Sequence, residues 1–167
     1  MFRGAVRADL AQIMQIYARA RAAMREAGNP TQWGNSYPPQ SLLEEDIDTN
    51  RLFVYVVNGH LEAVFYFFLG SDPTYAVIED GAWLDDKLPY GTLHRIASAG
   101  TRKGVASDVL DWCAERCESL RVDTHADNKT IQHILEKKGF TRCGIIHVED
   151  GSPRIAYQKL SPTVAQD

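Results

Sequence analysis

Between Leu93 and Ala106 the chain reads Leu-His-Arg-Ile-Ala-Ser-Ala-Gly-Thr-Arg-Lys-Gly-Val-Ala, and this stretch holds the residues best suited to chemistry. Its pattern is that of a strand, a turn with Gly100 and Gly104, and the start of a helix. The first amides of such a helix have no intrahelical acceptors and stand at the positive end of its dipole, which suits a pyrophosphate. Gly104 lets backbone approach a ligand closely, and Ala106 keeps the next turn slim. Arg102 and Lys103 add mobile positive charge for phosphate oxygens. The spacing matches neither a Walker loop nor GxGxxG, and a glycine turn before a helix is by itself an ordinary connection. Within the strand, His94 carries an imidazole, a group whose usual pKa of about 6.5 suits proton transfer near neutrality.

A second informative stretch runs from Val122 to Phe140: Val-Asp-Thr-His-Ala-Asp-Asn-Lys-Thr-Ile-Gln-His-Ile-Leu-Glu-Lys-Lys-Gly-Phe. Strand residues Leu120 to Thr124 lead into a helix over about Asn128 to Lys138, closed by Gly139, with Ile131, Ile134 and Leu135 on its apolar side. Asn128 or Asp127 is suited to cap that helix.

The elements around these stretches follow from periodicity. Phe2 to Val6 is predicted as a short strand. From Asp9, the positions Leu10, Ile13, Met14, Tyr17, Ala20 and Met24 recur at helical spacing until Gly28. A loop over residues 29–39 carries Gln32, Trp33 and Tyr37, and a short helix follows from Gln40 to Ile47. Asn58-Gly59 between Leu52–Val57 and Leu61–Leu69 predicts a hairpin with a type I′ turn. Tyr75 to Trp83 is strand-like, and Tyr90 to Ser98 is a further strand. After Gly104 comes a helix with Ala106, Val109, Leu110, Cys113 and Cys117 on its apolar face. Thr141–Val148 and Arg154–Lys159 make a last hairpin around Asp150-Gly151. The fold class is α/β: a mixed, mostly antiparallel central sheet of six to seven strands, helices on both faces. Residues 1–160 are expected to form one domain and residues 161–167 a disordered tail.

Composition narrows the functions. At 167 residues, 44% hydrophobic and 24% charged, the chain has the make-up of a soluble globular domain. A net charge of −4 argues against nucleic acid as the main partner, which calls for a broad basic surface. No apolar run approaches the roughly 18–20 residues that span a bilayer, so no membrane partner is expected. Three cysteines, an odd number without ligand-spaced histidines, predict buried thiols rather than disulfides or a metal centre, and a cytoplasmic setting.

Taken together and in this order, the two stretches resemble the GNAT superfamily of N-acetyltransferases. Thr101 to Ala106 is similar to its pyrophosphate loop, (Q/R)xxGx(G/A), and Asp127 to Phe140 to its DNxxAxxLYEKxGF segment. The resemblance implies a splayed sheet that admits acetyl-CoA as cosubstrate between two parting strands. It further implies that the backbone of Ile96, Ala97 and Ser98 pairs with the pantetheine arm as an added strand. The loop and helix start at Thr101, Arg102, Lys103, Gly104, Val105, Ala106 and Ser107 would hold the pyrophosphate, and Asn128 would touch the cofactor. Two departures stand out: Thr101 replaces the loop's Gln or Arg, and Leu135 replaces the tyrosine thought to protonate the leaving thiolate in many relatives. Cys143, Tyr157 and Tyr90 are candidate substitutes, alongside water.

The implied reaction is direct attack of a primary amine on the thioester, with an amide near Ile96 polarising the acetyl carbonyl. His94 stands four residues before Ser98, where the arylalkylamine branch of the superfamily carries a histidine base. A strand histidine with a purely structural role is the competing reading. Strand alternation would point Thr92, His94 and Ile96 to one face. The acceptor, a small-molecule or peptide amine, is expected to meet Gln32, Trp33, Tyr37, Glu79, Trp83 and Tyr90. Pairing into homodimers is a family-level expectation. The alternatives are a non-catalytic acyl-CoA-binding or sensing module and a nucleotide-binding α/β protein, the latter resting on the glycine turn alone.

Overall fold

In a computed structural model describing residues 1–165, one seven-stranded mixed sheet has the strand order Phe2–Gly4 (β1), Leu52–Val57 (β2), His60–Leu69 (β3), Gly91–Ser98 (β4), Ser119–Thr124 (β5), Pro153–Leu160 (β7) and Thr141–His147 (β6). The chain falls into two compact units. One is Met1–Phe67 with His94–Val109; the other is Phe68–Leu93 with Leu110 onward.

In the first unit, β1 (Phe2–Gly4) pairs antiparallel with β2 (Leu52–Val57), and β2 with β3 (His60–Leu69). The β2–β3 turn is the one its sequence predicts: Asn58 and Gly59 both have positive φ, 51° and 80°, as a type I′ turn demands. Helix α1 (Leu10–Glu26) buries Ile13, Ile16, Tyr17 and Ala20, a stripe at helical spacing. Its entry is fixed by Asp9, whose carboxylate accepts a two-pronged bond from Arg3 at 2.7 and 3.0 Å and one from the Val6 amide at 2.8 Å. The Arg3 bond chiefly holds the Asp9 carboxyl below the usual carboxylate range. Helix α2 (Gln40–Asp48) buries Leu43 and Ile47, with Asp46 on the same face. With Trp33, Leu52, Val54, Val64 and Ala97, these residues form the unit's core.

In the second unit, the first part of β4 (Gly91–Ser98) runs parallel to β5 (Ser119–Thr124), Gly91 opposite Leu120 and Leu93 opposite Val122. The ladder ends there, although β4 runs on to Ser98. Antiparallel ladders join β5 to β7 (Pro153–Leu160) and β7 to β6 (Thr141–His147). Helix α3 (Val105–Ala114) buries Val105, Val109, Leu110 and Cys113, while Cys117 lies beyond its end and only part-buried. In α4 (Lys129–Lys137) Leu135 is the fully buried residue, and Ile131 and Ile134 are half-buried.

One expectation changes. Residues 75–83 form no strand. A single 3-10 turn, Pro73–Tyr75, is capped by Asp72, and one bridge joins Glu79 to Ile145. Pro73 and the left-handed Asp80 (φ 56°) leave room for that bridge only. In the expected tail, Pro162–Ala165 make one helical turn, α5, anchored where the Ser161 amide donates to Glu118 O at 2.8 Å. Residues 166 and 167 of that tail lie outside the described residues. Among the described residues no helix is long and apolar enough to cross a membrane, and no cluster of His, Cys, Asp or Glu is arranged to hold a metal ion.

Candidate active site

Within the first unit, the strand, loop and helix start that the sequence singles out come together as one continuous segment, His94–Val109. Gly100 and Gly104 both have φ of 78°, a conformation that side chains oppose, so both turns need glycine. The Asp108 amide donates to Gly104 O at 3.1 Å, which makes Gly104 the helix cap. Glycine brings no side-chain oxygen to satisfy the amides of Val105, Ala106 and Ser107. A β-carbon built on it would meet nothing within 4 Å. An uncapped, open helix start of this kind is suited to an anion. Arg102 and Lys103 beside it are exposed.

The loop is held from behind. The Thr101 hydroxyl donates to the buried Glu62 carboxylate at 2.6 Å, and the Ala99 amide donates to Glu62 O at 2.9 Å. Thr101 is therefore a loop anchor, and what it can offer a ligand is its backbone. A cation from α1 lies against the same loop. Arg19 donates to Ser98 O at 3.0 Å and lies so flat on Gly100 that a β-carbon there would stand 1.9 Å from its Cζ. No acidic partner of Arg19 is present among the described residues. The sequence reading passed over Arg19, since nothing in a helix's own spacing shows which loop its exposed face meets.

The expected alternation of β4 breaks at Arg95, which has φ of 55° in mid-strand. Tyr17 Oη donates to Arg95 O at 2.8 Å. The Arg95 guanidinium pairs with Asp46 and lies over the Tyr66 ring, 4.7 Å from its centroid. Burial raises the Asp46 carboxyl, and Arg95 opposes that shift. A buried pair of this kind costs about 3–5 kcal/mol to break by removing one partner. Asp46 had a sequence signal, an acid on the stripe between Leu43 and Ile47. Its partner had none. Part-buried His94 stands beside Tyr66, ring centroids 5.7 Å apart. Ile96 and Ser98 are half-buried and Ala97 is buried.

The expected acceptor residues divide between the units. In the first, Gln32 accepts from Asn29 at 2.7 Å. Trp33 is a core residue, its ring edge-on to Tyr17 at 5.5 Å, because packing uses all of its apolar surface. Tyr37 is the exposed aromatic of the loop, with Oη 3.5 Å from Arg95 Nη1. In the second unit, Glu79 is exposed. Trp83 is buried, donating to Tyr75 O at 3.0 Å. Trp83 and Tyr90 enclose the guanidinium of Arg121, 4.0 and 3.9 Å from their ring centroids. These two rings are therefore occupied by a cation of the chain itself. Arg121 also donates to Asp85 O at 3.0 Å, and its only sequence signal was a charge inside an apolar strand.

Asn128 caps α4, its Oδ1 accepting from the Ile131 amide at 3.2 Å. Leu135 is fully enclosed. Of the candidate proton donors, Cys143 and Tyr157 are buried and burial raises both groups. Tyr90 instead accepts from the Asp72 amide at 2.8 Å.

The fold has counterparts among solved structures. A GNAT-family acetyltransferase from Streptococcus agalactiae is 32% identical, with 96% of this chain and 95% of that one aligned and a TM-score of 0.88. The chain belongs to the GNAT acetyltransferase family. A Listeria monocytogenes GNAT acetyltransferase (18% identity, 96% and 94% of the two chains, TM-score 0.70) shares the fold with this GNAT protein. So does yncA of Salmonella typhimurium, solved with its cofactor acetyl-CoA (14% identity, 96% and 92%, TM-score 0.63). No family model matches the sequence, and no curated protein does so.

Proposed function

We propose that this GNAT protein transfers the acetyl group of acetyl-CoA to a primary amine. The observation that carries the reading is the continuity of His94–Val109. A strand stretch beyond the β4–β5 ladder leads through two glycines of positive φ to a helix start for whose amides no side-chain cap is found among the described residues. The pyrophosphate sits on the amides of Val105–Ser107, with Arg19, Arg102 and Lys103 around it, and the pantetheine arm lies along Ile96–Ser98. The Ile96 amide donates to the acetyl carbonyl oxygen. The amine nitrogen attacks the carbonyl carbon and the carbon–sulfur bond breaks. The amine's proton passes to His94 or to water, and CoA leaves as the thiolate.

A second reading, acyl-CoA binding without turnover, draws on the buried leucine at position 135 and on the enclosure of Cys143 and Tyr157. A thiol-release assay over a panel of amines separates the two, since turnover with any amine excludes a pure binding module. With the amine so found, His94→Gln is expected to lower kcat by roughly 10²–10⁴-fold while leaving CoA affinity unchanged. Wild-type kcat in that variant would remove His94 from the mechanism.

A further inference from the structure

We propose that Tyr17 is a positioning residue for the amide that receives the acetyl carbonyl, and that the Arg95–Asp46 ion pair steadies the same peptide; this rests on the acetyl-transfer reading above. The left-handed region that Arg95 occupies (φ 55°) is sparsely populated by residues with a side chain. A conformation of that kind persists only where its surroundings over-determine it. Here they do. Tyr17, wholly buried on α1, donates to the Arg95 carbonyl at 2.8 Å. Asp46, buried on α2, takes the Arg95 guanidinium, which also lies 4.7 Å from the Tyr66 ring centroid on β3. Carbonyl and side chain of one residue are thus held by three elements.

The peptide that Tyr17 grips is the one whose N–H belongs to Ile96. A planar trans peptide points its C=O and N–H in opposite directions, so fixing the Arg95 carbonyl fixes the aim of the Ile96 amide. A hydrogen bond received on the carbonyl also polarises the unit and makes its N–H a stronger donor. Burial pushes the Tyr17 phenol up, so it stays protonated and keeps donating. An oxyanion donor is effective to the extent that it is held in place before charge develops, and Tyr17 supplies that hold from behind the strand.

The test uses the full chain, with Tyr17→Phe to remove the hydroxyl alone and Asp46→Asn to remove the ion pair while keeping an oxygen. Thiol release from acetyl-CoA, with the amine chosen by the panel, gives kcat and KM, and calorimetry with CoA gives affinity. Both variants are expected to lose kcat by roughly tenfold to a hundredfold, below the 10²–10³-fold typical of deleting an oxyanion donor outright. Acetyl-CoA KM and CoA affinity should stay within about twofold, the split expected when only transition-state contact is lost. Wild-type kcat in Tyr17→Phe overturns the proposal. So does an equal loss of kcat and CoA affinity, or two variants that melt below assay temperature, since either makes the network plain scaffold. A wild-type protein that neither binds CoA nor releases thiol is a different result, and it sinks the acetyl-transfer reading itself.

Discussion

Arg19 is a single side chain proposed to supply what the loop motif lacks. Threonine at position 101 stands in place of the loop's Gln or Arg, and the guanidinium of Arg19 lies on Gly100 with its bond to Ser98 O as its anchor. It is exposed and has no carboxylate partner among the described residues, so its charge is available to a phosphate. Arg19→Ala is expected to weaken CoA binding by about threefold to tenfold, equivalent to about 0.7–1.4 kcal/mol, the upper range of an exposed ion pair. Calorimetry at low and high salt checks it: the loss should shrink as salt rises, and an unchanged Kd at low salt would remove Arg19 from the site. The turn at Gly104 was legible because its backbone demand is local. Arg19, Tyr17 and Arg95 were not, since their partners lie 79 and 78 residues away in sequence for the two hydrogen bonds concerned. Trp33 and Trp83 are both buried, and a loop tryptophan looks the same in sequence whether it meets a ligand or the core.

At the scale of elements, the helices and strands around the site were legible wherever a turn residue enforced the boundary. Asn58-Gly59 fixes the β2–β3 hairpin, and Gly139 ends the α4 segment with a positive φ of 85°. Residues 75–83 carry aromatic and β-branched types that suit a strand, but Pro73 and the left-handed Asp80 decide the path. The start of α1 depends on Asp9, which ties Arg3 on β1 to the Val6 amide. Its carboxyl is depressed in the folded chain, so its contribution is present above the unfolded value of about 3.9 and fades as pH falls through the folded value. Asp9→Asn is therefore expected to lower stability at neutral pH and to flatten the loss of stability below about pH 4. Urea melts across that range check the slope. An acid limb as steep as the wild type's would show that Asp9 does not govern it.

The molecule as a whole carries a net charge of −4, yet Arg19, Arg102 and Lys103 gather around one loop. A local cationic site on an acidic chain favours one phosphorylated ligand over a polyanion surface. The seven-stranded order, the shortened parallel ladder of β4 with β5 and the likeness to the Streptococcus agalactiae acetyltransferase agree with the two motifs read in series. That agreement came from motif order rather than from either motif's strength. No composition shift or linker in the sequence marks the division into two compact units. The central claim is that the helix start after Gly104 receives the pyrophosphate of a CoA thioester. Titration calorimetry with acetyl-CoA tests it most directly. The account predicts saturable one-site binding with Kd on the order of 1 μM to 1 mM, weakened by salt. Absence of heat with millimolar acetyl-CoA and CoA alike would contradict it.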